Sequence, residues 1–323
     1  MDRTLARSGS SRAILSAFLK RFGLLLVYLV LIIGLSLLSD RFLTSSNQIN
    51  ILRQATINGI IAVGMTLVIL TAGIDLSVGS VLALSAVIGA DLLKRGMPVP
   101  VAVLAALGVG ALAGLVNGII ITRGKIPPFI ATLGMLTVAR GLTLMYTGGQ
   151  PFTGFPPAFR QIGAGALGPI PIPIIIAVLV FVGASLILDR TRFGQYIYLL
   201  GDNPVAARLT GINTELMTVM VYIVSGLCAA LAGLILIARL DSAQPVIGLG
   251  YEFNAIAAVV VGGTSFSGGE GTLFGTLLGT LLIETLGNGL NLLNVSPLWE
   301  QVVKGLVIAL ALLAYKALSR PTE

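Results

Sequence analysis

The side chains able to do chemistry are few, and most lie in two short polar words set between apolar runs. The first, Thr71-Ala-Gly-Ile-Asp75-Leu-Ser77-Val-Gly79-Ser80, places one carboxylate among hydroxyls and glycines. The second, Ser265-Phe-Ser267-Gly-Gly-Glu270-Gly271, repeats that composition, and neither word contains a base. A carboxylate at membrane depth is costly and is a functional candidate for that reason. Two readings stand for Asp75 and Glu270. They cap the ends of broken helices, with their charge on the amide donors there, or they line a transport pathway together with Thr71, Ser77, Ser265 and Ser267.

Three further charges, Arg140, Glu284 and Lys304, fall inside apolar runs. An ion pair between Glu284 and Lys304, on the last two expected helices, would satisfy both. Proton coupling is the alternative, and it wants a chain of carboxylates that the sequence lacks. With no histidine and one cysteine, Cys228, the chain offers no imidazole catalysis, disulfide framework or metal cluster. The stretch Gly263-Thr-Ser-Phe-Ser-Gly268-Gly269-Glu270 has the glycine gap of a phosphate loop, yet Gly269 and Glu270 stand where Lys and Ser/Thr are required. Without that lysine the phosphates meet no charge, so the chain is not expected to hydrolyse ATP.

These groups must be held by apolar elements, because 56% of the 323 residues are hydrophobic and 10% are charged, against about 25% charged in soluble domains. A span needs about 20 apolar residues, and polar breaks are tolerated where they are buried or line a wet cavity. Candidate spans fall at 22–38, 55–71, 78–93, 99–121, 129–147, 170–188, 217–238, 253–263, 272–290 and 298–318, the eighth being short. The net charge of +7 lies in the gaps between them and reads as a topology signal rather than a nucleic-acid surface. With the N-terminus inside, the cytoplasmic segments carry Arg3, Arg7, Arg12, Lys20, Arg21, Arg123, Lys125, Arg190, Arg192, Arg208, Lys316 and Arg320. The outer segments carry half as many: Arg41, Arg53, Lys94, Arg95, Arg160 and Arg239. The expected fold is therefore all-α and polytopic, with about ten transmembrane helices, some broken or short, and both termini cytoplasmic. Its parts are a basic N-terminal segment (1–21), one membrane domain (22–318) and a short tail (319–323).

Two connections are long. The outer one, 148–169, is rich in Gly and Pro and reads as an irregular loop. In the inner one, 189–216, Asn203 followed by Pro204, the run AARL and Gly211 give an N-cap, a proline in the first turn and a closing glycine. A helix so short, with no catalytic equipment, suits a contact element. Gly110, Gly114 and Gly118 recur every four residues, as do Gly275 and Gly279, which lets helices approach closely. Cys228 reads as a small packing residue.

The words MTLVILTAGIDLSVGS, AVVVGGTSFSGGEGTLFGTLLG, GDNPVAARLTGIN, ARLDSAQPVIGLGYE and NGLNLLNVS resemble the membrane permease of ribose-type monosaccharide ABC importers. The resemblance runs from residue 39 to residue 315. It implies a homodimeric permease in the bacterial inner membrane, embedded in lipid. It also implies a cytoplasmic ABC ATPase that carries the ATP and Mg, and a periplasmic or lipid-anchored binding protein that delivers a monosaccharide. No cofactor on this chain and no nucleic acid enter that picture. By this resemblance Asn203, Pro204, Ala206, Ala207, Arg208, Gly211 and Ile212 form the segment that docks in the ATPase, and the GIDLSVGS and GGTSFSGGEG words flank the pathway. The outward bases Arg53, Lys94, Arg95, Arg160 and Arg239 are then candidates for docking an acidic rim of the binding protein, with span anchoring as the plainer role for Lys94 and Arg95. An autonomous ion-coupled sugar carrier is the alternative function, and an intramembrane enzyme a more remote one.

Overall fold

Long runs of Leu, Ile, Val and Ala in lipid have no water to satisfy their peptide groups, so they close their hydrogen bonds internally as helices. The computed structural model describes residues 23–296 together with 298, 299, 301–303, 305–307 and 309. The basic N-terminal segment, Lys304, Lys316, Arg320, much of the 298–318 span and the 319–323 tail lie outside the described residues. In chain order the helices are α1 (Gly23–Leu38), α2 (Ser45–Leu70), α3 (Val78–Lys94), α4 (Val99–Thr122), α5 (Pro128–Thr147) and α6 (Pro157–Ala164). They continue with α7 (Ile172–Arg190), α8 (Arg192–Asp202), α9 (Pro204–Leu209), α10 (Thr214–Leu240), α11 (Tyr251–Val261) and α12 (Leu273–Leu292). Six of these, α2, α4, α5, α7, α10 and α12, are long and apolar enough to cross a membrane. Helices α1 and α11 are apolar but shorter. The described residues are thus predominantly helical, as in a multi-pass membrane protein.

Helices α2 and α10 are largely buried, whereas α4, α5 and α7 leave most of their surface open. Exposed side chains such as Leu104, Leu112, Val138, Leu179 and Val182 belong to this outer set, as expected for helices facing lipid. Around α10 pack α4, α2 and α3, and α12 lies against α11 and α2. The glycine spacing seen in the sequence makes two of these contacts. A Cβ at Gly110 or Gly114 would strike the carbonyls of Gly226 or Tyr222 on α10, and one at Gly275 or Gly279 would strike those of Gly262 or Ala258. Cys228 is buried beside Gly64, as a packing residue should be.

The 148–169 connection is not the irregular loop expected from its composition. It contains α6, which packs on α10 through Gly163, and β1 (Phe152–Thr153) pairs antiparallel with β4 (Ser242–Ala243) beyond the end of α10. A second small hairpin joins β2 (Ala166–Leu167) to β3 (Ile170–Pro171). Order comes from long-range partners: Phe155 and Phe159 are buried edge-to-face at 5.7 Å against α3 and α10 residues such as Leu93 and Ala238.

Candidate functional site

The inner connection builds the site. Asn203 caps α9 as its sequence suggests, its Oδ1 accepting from the amides of Val205 (3.1 Å) and Ala206 (2.9 Å). Gly211 closes it with a φ of 84°, a left-handed conformation open to a residue without Cβ. Ala207 faces inward, while Val205 and Leu209, one turn apart, are exposed with Arg208. Arg208 Nε donates to Thr214 Oγ1 at 3.1 Å, which ties α9 to the start of α10.

A preceding helix, α8, was not anticipated from the loop reading of 189–216. Its burial of Ile197, Leu200 and Gly201 follows helical spacing, a signal present in the run RFGQYIYLLGD. Its N-cap is Thr191, whose Oγ1 accepts from the Gly194 amide. Helix α8 seats α9 on both polar words. Tyr198 Oη donates to the Gly271 carbonyl at 2.9 Å, and burial, then the nearby Asp189 carboxylate, push its phenol above the usual range and keep it a donor. Gly201 lies so close to the Leu70 carbonyl and the Gly269 amide that no side chain would fit, and Gly269 N donates to Leu70 O at 3.0 Å. The end of α2 and the 263–272 connection therefore meet on one face of α8.

The two words part company in depth. Asp75 is fully buried, its Oδ1 accepting from Ser77 N (3.0 Å) and Ser77 Oγ (2.6 Å) and its Oδ2 from Ser225 Oγ (2.8 Å). Asn117 Nδ2 donates to Ser77 Oγ at 3.0 Å, so α3, α4 and α10 all meet at this carboxylate. Ser225 lies eleven residues into α10, about 16 Å along it, well inside the bundle rather than at its end. The contact with the Ser77 amide, just before α3, is a helix-start geometry. Asn117 and Ser225 were missed; a lone amide in the apolar run of α4 was the available signal. Glu270, by contrast, is exposed, as are Thr71's neighbour Ala72 and Ser267, while Ser265 is buried and its Oγ accepts from Ser267 N at 3.2 Å.

At the opposite end the outward bases gather. Arg95 pairs with Asp91 (2.7 Å), which also accepts from Tyr146 Oη (2.6 Å), and Arg160 lies 3.7 Å from Asp241. Arg239 Nη2 donates to Asn50 Oδ1 at 3.3 Å, and Arg53, half-buried, is its neighbour. Lys94 is exposed and forms no ion pair among the described residues. The structure thus collects the five at one end but gives Arg95 and Arg160 acidic partners and withdraws Arg53 and Arg239 partly into the bundle. Glu284 is buried and accepts from the Asn58 amide of α2; its expected partner Lys304 lies outside the described residues. No group of acidic and cysteine side chains suited to a metal occurs among the described residues.

The described residues thus form a multi-pass helical bundle with buried polar joints and a small surface helix resting on two helix breaks, an arrangement suited to a membrane transport component. Residues 47–312 match the family described as branched-chain amino acid transport system / permease component. The chain is 50% identical over 293 residues to the ribose import permease protein RbsC of Escherichia coli (strain K12), covering 90% of this chain and 91% of that one. It is 50% identical over 297 residues to the ribose import permease protein RbsC of Bacillus subtilis (strain 168), covering 91% and 92%. The D-allose transport system permease protein AlsC of Escherichia coli (strain K12) is 38% identical over 297 residues, covering 92% and 91%. The chain belongs to this family of ABC-importer permeases and is a multi-pass protein of the inner membrane. No solved structure matches it.

Proposed function

We propose that this chain forms the passage of an ATP-driven importer for a ribose-type monosaccharide, within a single membrane domain over residues 22–318. Two copies line the passage, each with ten spans and both termini in the cytoplasm. ATP and Mg are held by a cytoplasmic ATPase chain, and a periplasmic or lipid-anchored binding protein delivers the sugar. The chain has no ATPase site of its own, since Gly269 and Glu270 replace the phosphate-loop lysine and hydroxyl. The 50% identity to two ribose permeases, over 90% and 91% of this chain, supports the sugar class.

The observation that carries the mechanism is the seat of α8 and α9. Val205, Leu209 and Arg208 face outward for the ATPase, and the guanidinium suits a carboxylate or carbonyl there. Behind them Gly201 and Tyr198 touch Leu70, Gly269 and Gly271. A push on α9 is thereby delivered to the ends of α2 and α12 without an intervening flexible segment. In this reading Asp75 fixes the break before α3, and Thr71, Ser265, Ser267 and Glu270 border the inner mouth. Lys94, with the rims of Arg95, Arg160, Arg53 and Arg239, meets the binding protein. Arg208→Glu should leave the permease inserted but uncouple ATP hydrolysis from uptake, lowering transport on the order of tenfold, a change of one buried charge-assisted contact. Arg192→Glu, exposed at the start of α8, should change uptake little. Equal losses from both reversals in reconstituted vesicles would rule out a specific coupling helix. Uptake that survives ATP depletion but collapses with an uncoupler would replace the importer with an ion-coupled carrier.

A further inference from the structure

Asp75 is a carboxylate sealed inside the bundle, and no Lys or Arg pairs with it among the described residues. It, Ser77, Asn117 and Ser225 are each only 1% exposed, so water does not screen the charge. Its three partners are neutral: Ser77 N and Ser77 Oγ on Oδ1, at 3.0 and 2.6 Å, and Ser225 Oγ on Oδ2, at 2.8 Å. Three donors on one carboxylate suit its ionised form. They spread the charge without cancelling it, and a buried charge left uncancelled is costly.

The hydroxyl protons around this carboxylate are already committed. Each serine has one, and both give it to Asp75. Ser77 Oγ, having donated, can only accept from Asn117, so that amide must present its Nδ2 to the oxygen, at 3.0 Å. The orientation of Asn117 is thereby fixed, and its Oδ1 is left buried with no hydrogen bond. That oxygen shares a carbon with the Nδ2 that touches Ser77, so it stays within the same polar group. What remains on Asp75 Oδ2, Ser225 Oγ and Asn117 Oδ1 is lone pairs, brought together from the break before α3, from α10 and from α4. A water molecule would donate to two of these oxygens and leave the charge in place. A proton on Oδ2 would cancel the charge and bond a single acceptor. A cation cancels the charge and engages all of the oxygens at once.

We propose that these side chains hold one alkali cation, with Asp75 as its charged ligand and Asn117 Oδ1, Ser225 Oγ and Ser77 Oγ as neutral ones. One negative charge among neutral oxygens matches a single positive charge, whereas a divalent metal calls for further carboxylates and ordered water. The chain is also of the right kind here. No helix runs from Thr71 to Ser77, between α2 and α3, and interrupted membrane helices are where small cations are coordinated. Because the ligands come from the break, from α4 and from α10, the ion ties the start of α3 to both helices. It does so beside the seam where Gly114 and Gly226 let α4 and α10 touch main chain to main chain. Sealed in that position, the ion is part of the fold rather than a passenger of transport, and the site does not rest on the importer reading.

The test uses the full chain, solubilised and purified in sodium, potassium or N-methylglucamine chloride at fixed ionic strength and pH. Equilibrium dialysis followed by elemental analysis should find about one sodium or potassium ion per chain. Asp75→Asn, which keeps the shape of the carboxylate and removes its charge, should bind none. The bound ion should raise the thermal unfolding midpoint by about 5 °C over N-methylglucamine, and Asp75→Asn should lose that difference. Asn117→Ala leaves both serine bonds to Asp75 in place and removes the orphan oxygen, so its half-saturating ion concentration should rise on the order of tenfold. A joint that merely held the helices together would bind no ion and show no preference among the salts. A wild-type chain without bound ion therefore overturns the site, as does an ion that Asp75→Asn retains. A midpoint that climbs as pH falls, in a chain that binds neither ion, would give the counter-charge to a proton and overturn it equally. If Asp75→Asn does not fold, Asn117→Ala decides, and an unchanged half-saturating concentration there rejects the proposed ligand set.

Discussion

Where α4 meets α10, Gly110, Gly114 and Gly226 bring main chain against main chain. Where α2 meets α12, side chains do the joining: Asn47 with Asn288 through two amide bonds, Asn58 with Glu284, and Thr66 with Thr276 at 2.8 Å. In lipid, packing one apolar helix on another gains nothing from excluding water, so contact must come from close shape fit or from hydrogen bonds. The two seams take one solution each. A glycine seam has a single register, because a shift along the helix drives a side chain into a carbonyl. A hydrogen-bond ladder is more forgiving: on α12 Thr276, Thr280, Glu284 and Asn288 recur every four residues, so a donor on α2 that leaves one acceptor approaches the next a turn away. The comparison divides the bundle into a fixed body of α3, α4 and α10 and a pair, α11 with α12, joined to α2 by exchangeable bonds. That pair carries Glu252 and borders the seat of α8.

The contrast breaks most readily at Gly114. Its added side chain would meet the Tyr222 carbonyl, a main-chain group with nowhere to yield, so Gly114→Leu should cost about 3 kcal/mol and abolish recovery of assembled protein. Detergent unfolding and size-exclusion profiles measure this, and wild-type stability in that variant would dissolve the idea of a fixed body. A smaller loss is expected at Asn58→Leu, which removes the amide from the buried Glu284 carboxylate at a cost of about 1–3 kcal/mol. Adding Glu284→Leu should return part of it, because the carboxylate that lost the Asn58 amide goes too. A double variant no better than the single would mean that Glu284 is held by other groups. The mildest change is Thr66→Val. Thr276 keeps its own bond to the Thr272 carbonyl, so the loss should stay near 0.6 kcal/mol, the usual scale of such bonds in membranes, with uptake intact. A loss as large as that of Gly114→Leu would erase the distinction between the seams.

Much of this was legible locally. The four-residue spacing of Gly110, Gly114 and Gly118 puts them on one face of a helix whatever lies opposite, and Asn203, Pro204 and Gly211 cap α9 with bonds that span only a few residues. The short α11 could be read from its length in the apolar pattern. The 148–169 connection could not, since Gly and Pro look alike in a loose loop and in one ordered by distant partners; its order depends on the Asp241 carboxylate accepting from Phe155 N at 2.8 Å, 86 residues away.

The sequence by itself determined the helices, their apolar faces and the places where they stop, because these follow from hydrogen bonds within a few residues and from the transfer of side chains into lipid. Only the tertiary structure decided what the polar groups do. Asp75 finds Ser225 across 150 residues, Ser77 finds Asn117 across 40, and Arg140 finds the Pro245 and Ile247 carbonyls across 105 and 107. A charge in an apolar run announces that it needs a partner, since leaving it unpaired costs too much; which partner it takes depends on which helices are brought side by side, and that is a property of the whole packing rather than of any segment.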